Sequence, residues 1–220
     1  MKYCLSVDLG SEKDYTALSL IKRVEKIRDD NIPSYNSRPI REEPVIVVSE
    51  LHLIRMDRIQ LKTPYPVIVR GIKAIVNSPN YIDNIALIVD QTGVGGVVMQ
   101  LLYQAGLAPI GITIHGGNNV TTSKDNYGVP KRDLAMALLT AYQMKQVKVP
   151  PPSIMPIIKD YEEELQNFIM KINKETGFDS YEAATERVHD DLVMSMAMGI
   201  YWINKTHGIT STLEERRQRD

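Results

Sequence analysis

An apolar run that ends in a carboxylate, Tyr3-Cys4-Leu5-Ser6-Val7-Asp8, followed at once by Leu9-Gly10, limits this chain more than any other stretch. Tyr3, Leu5 and Val7 alternate as one buried face of a strand, and Asp8 falls where that strand ends. A carboxylate there is costly to bury unless positive charge meets it. Two later stretches supply matching acids: Ile85-Ala86-Leu87-Ile88-Val89-Asp90, running into Gln91-Thr92-Gly93-Val94-Gly95-Gly96, and Val188-His189-Asp190-Asp191-Leu192-Val193. The three segments are expected to converge on divalent metal ions.

The 220 residues, 43% of them hydrophobic, suffice for a single domain over 1–220, with its core over about 3–204 and a charged tail over 205–220. No apolar run approaches the roughly 18–20 residues of a bilayer span, and the N-terminus lacks the ordered regions of a signal peptide, so a soluble, cytoplasmic protein is expected. The single cysteine, Cys4, sits in the first apolar run and reads as a core residue rather than a nucleophile. A net charge of −1 carries no global signal for nucleic acid. Local basic groups remain at Lys22-Arg23-Lys26-Arg28, Lys131-Arg132, Lys145-Lys148 and Arg216-Arg217-Arg219, and phosphate contacts depend on local fields. Taken singly, each is more readily a solvated face.

Beyond Gly10 a turn feeds a second strand antiparallel to the first, which brings Asp14 back towards Asp8. Residues 25–44 are charged, polar and interrupted by proline, and predict an exposed loop or arm. Residues 45–54 resume as a third strand, so the chain opens with a three-stranded antiparallel meander. Helical spacing follows over 64–77, a buried strand over 85–90, a helix over 96–105 and a strand over 108–114. The switch to βαβ units predicts an α/β fold: a mixed five-stranded sheet, meander first and parallel strands after, with helices on both faces. Residues 115–128 read as a long mobile loop, after which Pro130 opens a helix to about 143. A short strand is expected over 147–149 and a helix over 154–164. Residues 165–172 fit a strand or a helix extension equally. A closing helix spans 188–204.

Acidic residues alone prove little, because most cap helices or sit in turns. Position discriminates: Asp8 and Asp90 each end a strand at the carboxyl edge, where open α/β sheets place ligands, and Asp191 begins a helix after a long polar stretch. Carboxylates brought together repel, and the repulsion is relieved by a shared proton or by Mg²⁺ or Mn²⁺. Two such ions about 4 Å apart would activate a water and stabilise the leaving oxygen of a phosphodiester displacement. The glycines after Asp90 lack the Gly-Lys-Ser/Thr ending of a Walker A loop and the spacing of a dinucleotide fingerprint. A tight strand-to-helix turn suits them better than a nucleotide cradle.

Four stretches in order carry a family resemblance: Val7-Asp8-Leu9-Gly10 with Asp14-Tyr15-Thr16-Ala17, Val89-Asp90-Gln91-Thr92-Gly93-Val94-Gly95, Val129-Pro130-Lys131-Arg132-Asp133-Leu134, and His189-Asp190-Asp191-Leu192-Val193-Met194. Together they resemble the C-terminal nuclease domain of phage terminase large subunits, which has the RNase H-like fold of integrases and resolvases. The resemblance implies a metal-dependent DNA endonuclease that cuts concatemeric phage DNA during packaging, with two Mg²⁺ or Mn²⁺ ions. It implies double-stranded DNA as substrate, a terminase ATPase, small subunit or portal as protein partners, and the host cytoplasm as location if the chain is phage-encoded. Asp8, Asp90 and Asp191 look like the metal-binding triad, with Asp190 and Asp14 as auxiliary ligands. Lys131, Arg132 and His189 take DNA-binding or auxiliary roles by the same resemblance. Lys131 reads nearly as well as a surface lysine, and His189 equally as a helix-start residue. The ATPase motor that precedes such domains is not matched by any Walker A sequence here, which leaves an excised domain or a free-standing nuclease. The alternatives are a Holliday-junction resolvase on the same fold, an actin-like phosphotransferase fragment and a non-catalytic module with structural acids.

Overall fold

The computed structural model of the chain describes residues 1–10, 14–27, 46–93, 95–173, 178–183, 189–208 and 210–212. The expected arm over 25–44 falls mostly outside them, as do Val94, Val188, Arg28, the basic cluster at Arg216 and the tail from 213 onward. In chain order the strands and helices are β1 (Tyr3–Asp8), β2 (Thr16–Ile27), β3 (Ile46–Ile59), α1 (Tyr65–Val76), β4 (Ile85–Asp90), α2 (Gly95–Gln104), β5 (Ile110–His115), β6 (Thr121–Ser123), β7 (Asn126–Pro130), α3 (Lys131–Gln143), β8 (Val147–Lys148), α4 (Ile158–Asn167), β9 (Phe168–Asn173), β10 (Phe178–Ala183), α5 (Asp191–His207) and β11 (Thr210–Thr212).

β1 runs through the middle of the sheet, antiparallel to β2 with Asp8 opposite Ala17, and parallel to β4 with Val7 opposite Val89. β2 pairs antiparallel with β3, and β4 pairs parallel with β5, which gives the expected meander followed by parallel strands. Four short strands extend this core to nine: β7 and β6 continue beyond β5, while β11 and β8 pair with β3. Residues 115–128 are therefore not the long loop expected, because 121–130 fold into the β6–β7 hairpin, with β7 parallel to β5. Its side chains alternate too weakly to announce strands; the order comes from backbone pairing to β5. The open stretch 165–172 divides between the end of α4 and β9, which pairs only with β10 in a separate two-stranded sheet.

Both faces of the sheet are covered, so its central strands are apolar on both sides. Leu5, Val7, Leu18, Leu20, Leu87 and Val89 pack beneath α1 and α2. Cys4, Ala17, Ile21 and Ile88 face the other way, onto α3, α4 and α5. Cys4 is fully buried, and burial pushes its thiol far up, which suits a core residue.

The pairing of β2 with β3 slips between Leu20 and Ile21, whose partners are Arg55 and Leu53, so Ile54 is an extra residue in β3. A bulge of this kind reverses which side chains face inward. Leu51 and Leu53 point to the α5 face before it, and Met56 points to the same face after it. Arg58, two residues further, is thereby aimed at α4.

α5 is buried on nearly every side from Asp191 to Ile200. It approaches β1 and β2 closely because the contact is made of small residues. Ser6 Oγ donates to the Ser195 carbonyl at 2.6 Å, and the Ser19 and Ser195 hydroxyls lie 2.7 Å apart. Gly199 completes this surface, since a Cβ there would stand 2.7 Å from both Ile21 Cδ1 and Ser6 Oγ. Alanine normally favours a helix over glycine by up to about 1 kcal/mol, but overpacking costs about 1–3 kcal/mol. Overlap wins, so Gly199→Ala should lower the melting temperature, and a rise in thermal denaturation would show that α5 sits further from the sheet.

Candidate active site

Asp8 and Asp90 end the adjacent parallel strands β1 and β4, so the sheet itself sets them side by side. α5 crosses beneath and starts at Asp191. The three acids line one open cleft of about 410 Å³, together with Asp14, Asp190, Lys131 and His189. Of the residues singled out from sequence, only Arg132 stands outside it. The Arg132 guanidinium instead donates to the Asn118 carbonyl at 3.1 Å and lies 3.4 Å from Asp133 Oδ1. Larger hollows exist, one of about 440 Å³ adjoining the cleft through Gly10 and Asp14, and one of about 570 Å³ between α1 and the strands β2 and β3. Neither gathers more than one acidic residue.

The carboxyl groups of Asp8 and Asp90 are neighbours close enough for each to alter the other's ionisation. Burial first, then the charges of Asp90, Asp191 and Asp190, push Asp8 well above the usual carboxylate range. Asp90 is raised by burial as well, but Thr92 opposes this. Both the backbone N–H and the hydroxyl of Thr92 donate to Asp90 Oδ1, at 2.8 and 2.6 Å. The same hydroxyl accepts the Ile114 N–H at 2.9 Å and so ties Asp90 to β5. Thr92 carries no catalytic chemistry of its own that would single it out; its place two residues after the acid is the signal.

Asp191 is 7% exposed, and burial pushes its carboxyl up to about 6 against the pull of His189 and Arg58. Its Oδ2 is buried without a hydrogen-bond partner, with His189 Nδ1 at 3.8 Å. Asp190 is the helix N-cap residue yet makes no side-chain capping bond. Its carboxylate pairs with Lys131 Nζ at 2.8 Å. The lysine ammonium outcompetes the helix amides because a full charge attracts more strongly than a partial one. His189 meets the Tyr15 ring edge to face at 5.1 Å between centroids.

The donors suit a hard divalent cation, being oxygens of several carboxylates with one buried oxygen unsatisfied. Among the described residues, no group of three or more His, Cys, Asp or Glu is arranged to hold an ion as it stands. Holding an ion would require these side chains to turn.

The turn after Asp90 is tight for a visible reason: a Cβ on Gly95 would meet the Asp90 carbonyl oxygen at 2.6 Å. This supports the turn over the nucleotide cradle.

The raised carboxyls have a pH consequence. The Asp191 carboxyl ionises near 3.8 in the unfolded chain and near 6 in the folded one, so the unfolded state sheds its proton first as pH rises. The stabilisation is complete below 3.8 and is lost as pH climbs through about 6. The loss is on the order of 2–3 kcal/mol. Melting in EDTA should therefore lose stability across that window more steeply for the parent than for Asp191→Asn. Equal slopes would mean that Asp191 is not strained by ionisation.

No protein-family model matches the chain, and no curated protein matches it. Solved structures do resemble it. The large terminase nuclease from thermophilic phage G20c is 20% identical with a TM-score of 0.56, covering 90% of this chain and 80% of its own. A human cytomegalovirus terminase nuclease domain, soaked with Mn, is 13% identical with a TM-score of 0.50, covering 95% of this chain and 87% of its own. The RNase H-like fold expected from the four motifs is thus present: this chain has the fold of terminase nuclease domains.

Proposed function

We propose that the chain is a metal-dependent endonuclease acting on double-stranded DNA. One observation carries the proposal: three carboxyls from β1, β4 and α5 converge on one cleft, and one of them, Asp191, has a buried oxygen without a hydrogen-bond partner. As a purely structural cluster this arrangement would be unfavourable, since like charges are desolvated together. The fold shared with terminase nucleases supports the same reading.

Asp8, Asp90 and Asp191 would hold the ions, with Asp190 and Asp14 at the margin. Two divalent ions, Mg²⁺ or Mn²⁺, would supply water activation and neutralise charge on the leaving oxygen. The chain's own residues do the rest. Thr92 holds Oδ1 of Asp90 by two hydrogen bonds and so fixes this carboxyl at the cleft, and α5 sets the depth of Asp191. An acidic cleft repels phosphate unless cations stand between, which makes the dependence on metal strict. Lys131 offers the nearby positive charge, released to a phosphate if Asp190 turns to an ion.

Among the described residues no base-reading module is evident, so affinity should come mainly from phosphates and selectivity for sequence should be slight. A place in phage DNA packaging, with an ATPase, small subunit or portal as partners, follows from the fold likeness and is proposed on that ground.

Incubation of supercoiled plasmid with the chain and Mg²⁺, Mn²⁺ or EDTA tests the proposal. Nicked and linear products with either metal and none with EDTA are expected. Intact plasmid with both metals would overturn it, as would undiminished cutting in EDTA.

A further inference from the structure

Glu164 lies on the inner face of α4, outside the cleft, and only 4% of it is exposed. A buried carboxylate in that position needs partners, and it has three. Its Oε2 accepts the backbone N–H groups of Leu192 and Val193 at 2.9 and 3.2 Å. Its Oε1 pairs with the Arg58 guanidinium. Helices leave their first amides unbonded, and a local capping side chain normally satisfies them. α5 has no such local cap, because the Asp190 side chain is turned to Lys131. Glu164, 28 residues away from Leu192, supplies the missing acceptor.

Arg58 fixes the other end of this clamp. The bulge at Ile54 turns Arg58 towards α4, where it also reaches Asp160 Oδ2 at 3.4 Å. Its guanidinium lies 5.1 Å from the centre of the Tyr15 ring, and Tyr15 in turn meets His189. The amides that Glu164 holds belong to the two residues directly after Asp191. Any slip of that first turn moves Asp191 relative to β1 and β4.

We infer that Glu164 is a positioning residue, which with Arg58 sets the rotation and depth of the α5 N-terminus and so holds Asp191 against Asp8 and Asp90. This rests on the metal-site reading above. Both oxygens of Glu164 are engaged as acceptors, and an amide has only one acceptor oxygen. Glu164→Gln therefore keeps the volume and loses either the amides or the arginine.

The test measures Mn²⁺ binding by electron paramagnetic resonance, without DNA, in the parent, Glu164→Gln and Tyr161→Phe. It also follows amide hydrogen exchange at Leu192 and Val193. Tyr161→Phe is the control on the same helix: it removes the 2.9 Å bond to the Tyr142 hydroxyl without touching α5. Loss of a residue that orients a ligand typically weakens metal binding about 10- to 100-fold. Glu164→Gln should show a loss of that size with faster exchange at both amides, and Tyr161→Phe neither, whatever it does to the melting temperature. Parental Mn²⁺ affinity in Glu164→Gln, or an equal loss in Tyr161→Phe, overturns the inference while leaving the metal site standing. A parent that binds no Mn²⁺ overturns the metal reading itself, and the role of Glu164 with it.

Discussion

Asp8→Asn should abolish metal-dependent cleavage while leaving the fold intact. The side chain ends β1 at the centre of the acidic cleft, next to Asp90 and within the field of Asp191 and Asp190. Removing one ligand costs several kcal/mol of charge stabilisation, and each 1.36 kcal/mol is tenfold, so the rate should fall by about 10²–10³-fold or more. Stability should hold or rise in EDTA. Burial and the neighbouring acids make a charge at Asp8 unfavourable, and an asparagine there has no charge to desolvate. Parallel plasmid nicking and thermal melting in EDTA check both halves. A variant that melts well below the parent would make Asp8 a structural residue.

The second large effect separates two neighbours. Asp191→Asn should slow cleavage far more than Asp190→Asn at the same Mn²⁺ concentration. Asp191 is buried with an oxygen that lacks a hydrogen-bond partner, whereas Asp190 is more open and already neutralised by Lys131. Asp191→Asn removes a ligand, at about 10²–10³-fold in rate. Asp190→Asn acts at one remove, which typically costs about 10- to 100-fold. Cleavage rates over a Mn²⁺ titration distinguish the two. Comparable losses would make both acids joint ligands, and a greater loss at Asp190 would reverse the assignment.

The parts of this site legible in sequence are those where periodicity fixes direction. β1 and β4 alternate on two faces and end in an acid, so their pairing and the meeting of Asp8 with Asp90 follow from strand geometry alone. The face of α5 carrying Ser195 and Gly199 packs on the sheet as helical spacing predicts, which places Asp191 inward and Asp190 towards the opening. What was not legible depends on contacts between distant segments. The pairing of Asp190 with Lys131 joins residues 59 apart, which no local pattern announces. Glu164 reads as a solvent-facing acid in a charged helix, although its spacing from Tyr161 puts it on the buried face. Arg58 faces α4 only because Ile54 is an extra residue in β3, and no local pattern announces that bulge. The β6–β7 hairpin stayed hidden because its strands are short and polar, and pairing with β5 supplies their order.

Anomalous scattering from a Mn²⁺-soaked crystal of the chain decides most directly whether Asp8, Asp90 and Asp191 form one metal-binding centre. Mn²⁺ peaks are expected in the cleft within bonding distance of all three carboxylates, lost in Asp8→Asn. Peaks elsewhere on the surface with none among these three acids, in crystals that leave the cleft open to solvent, would contradict it.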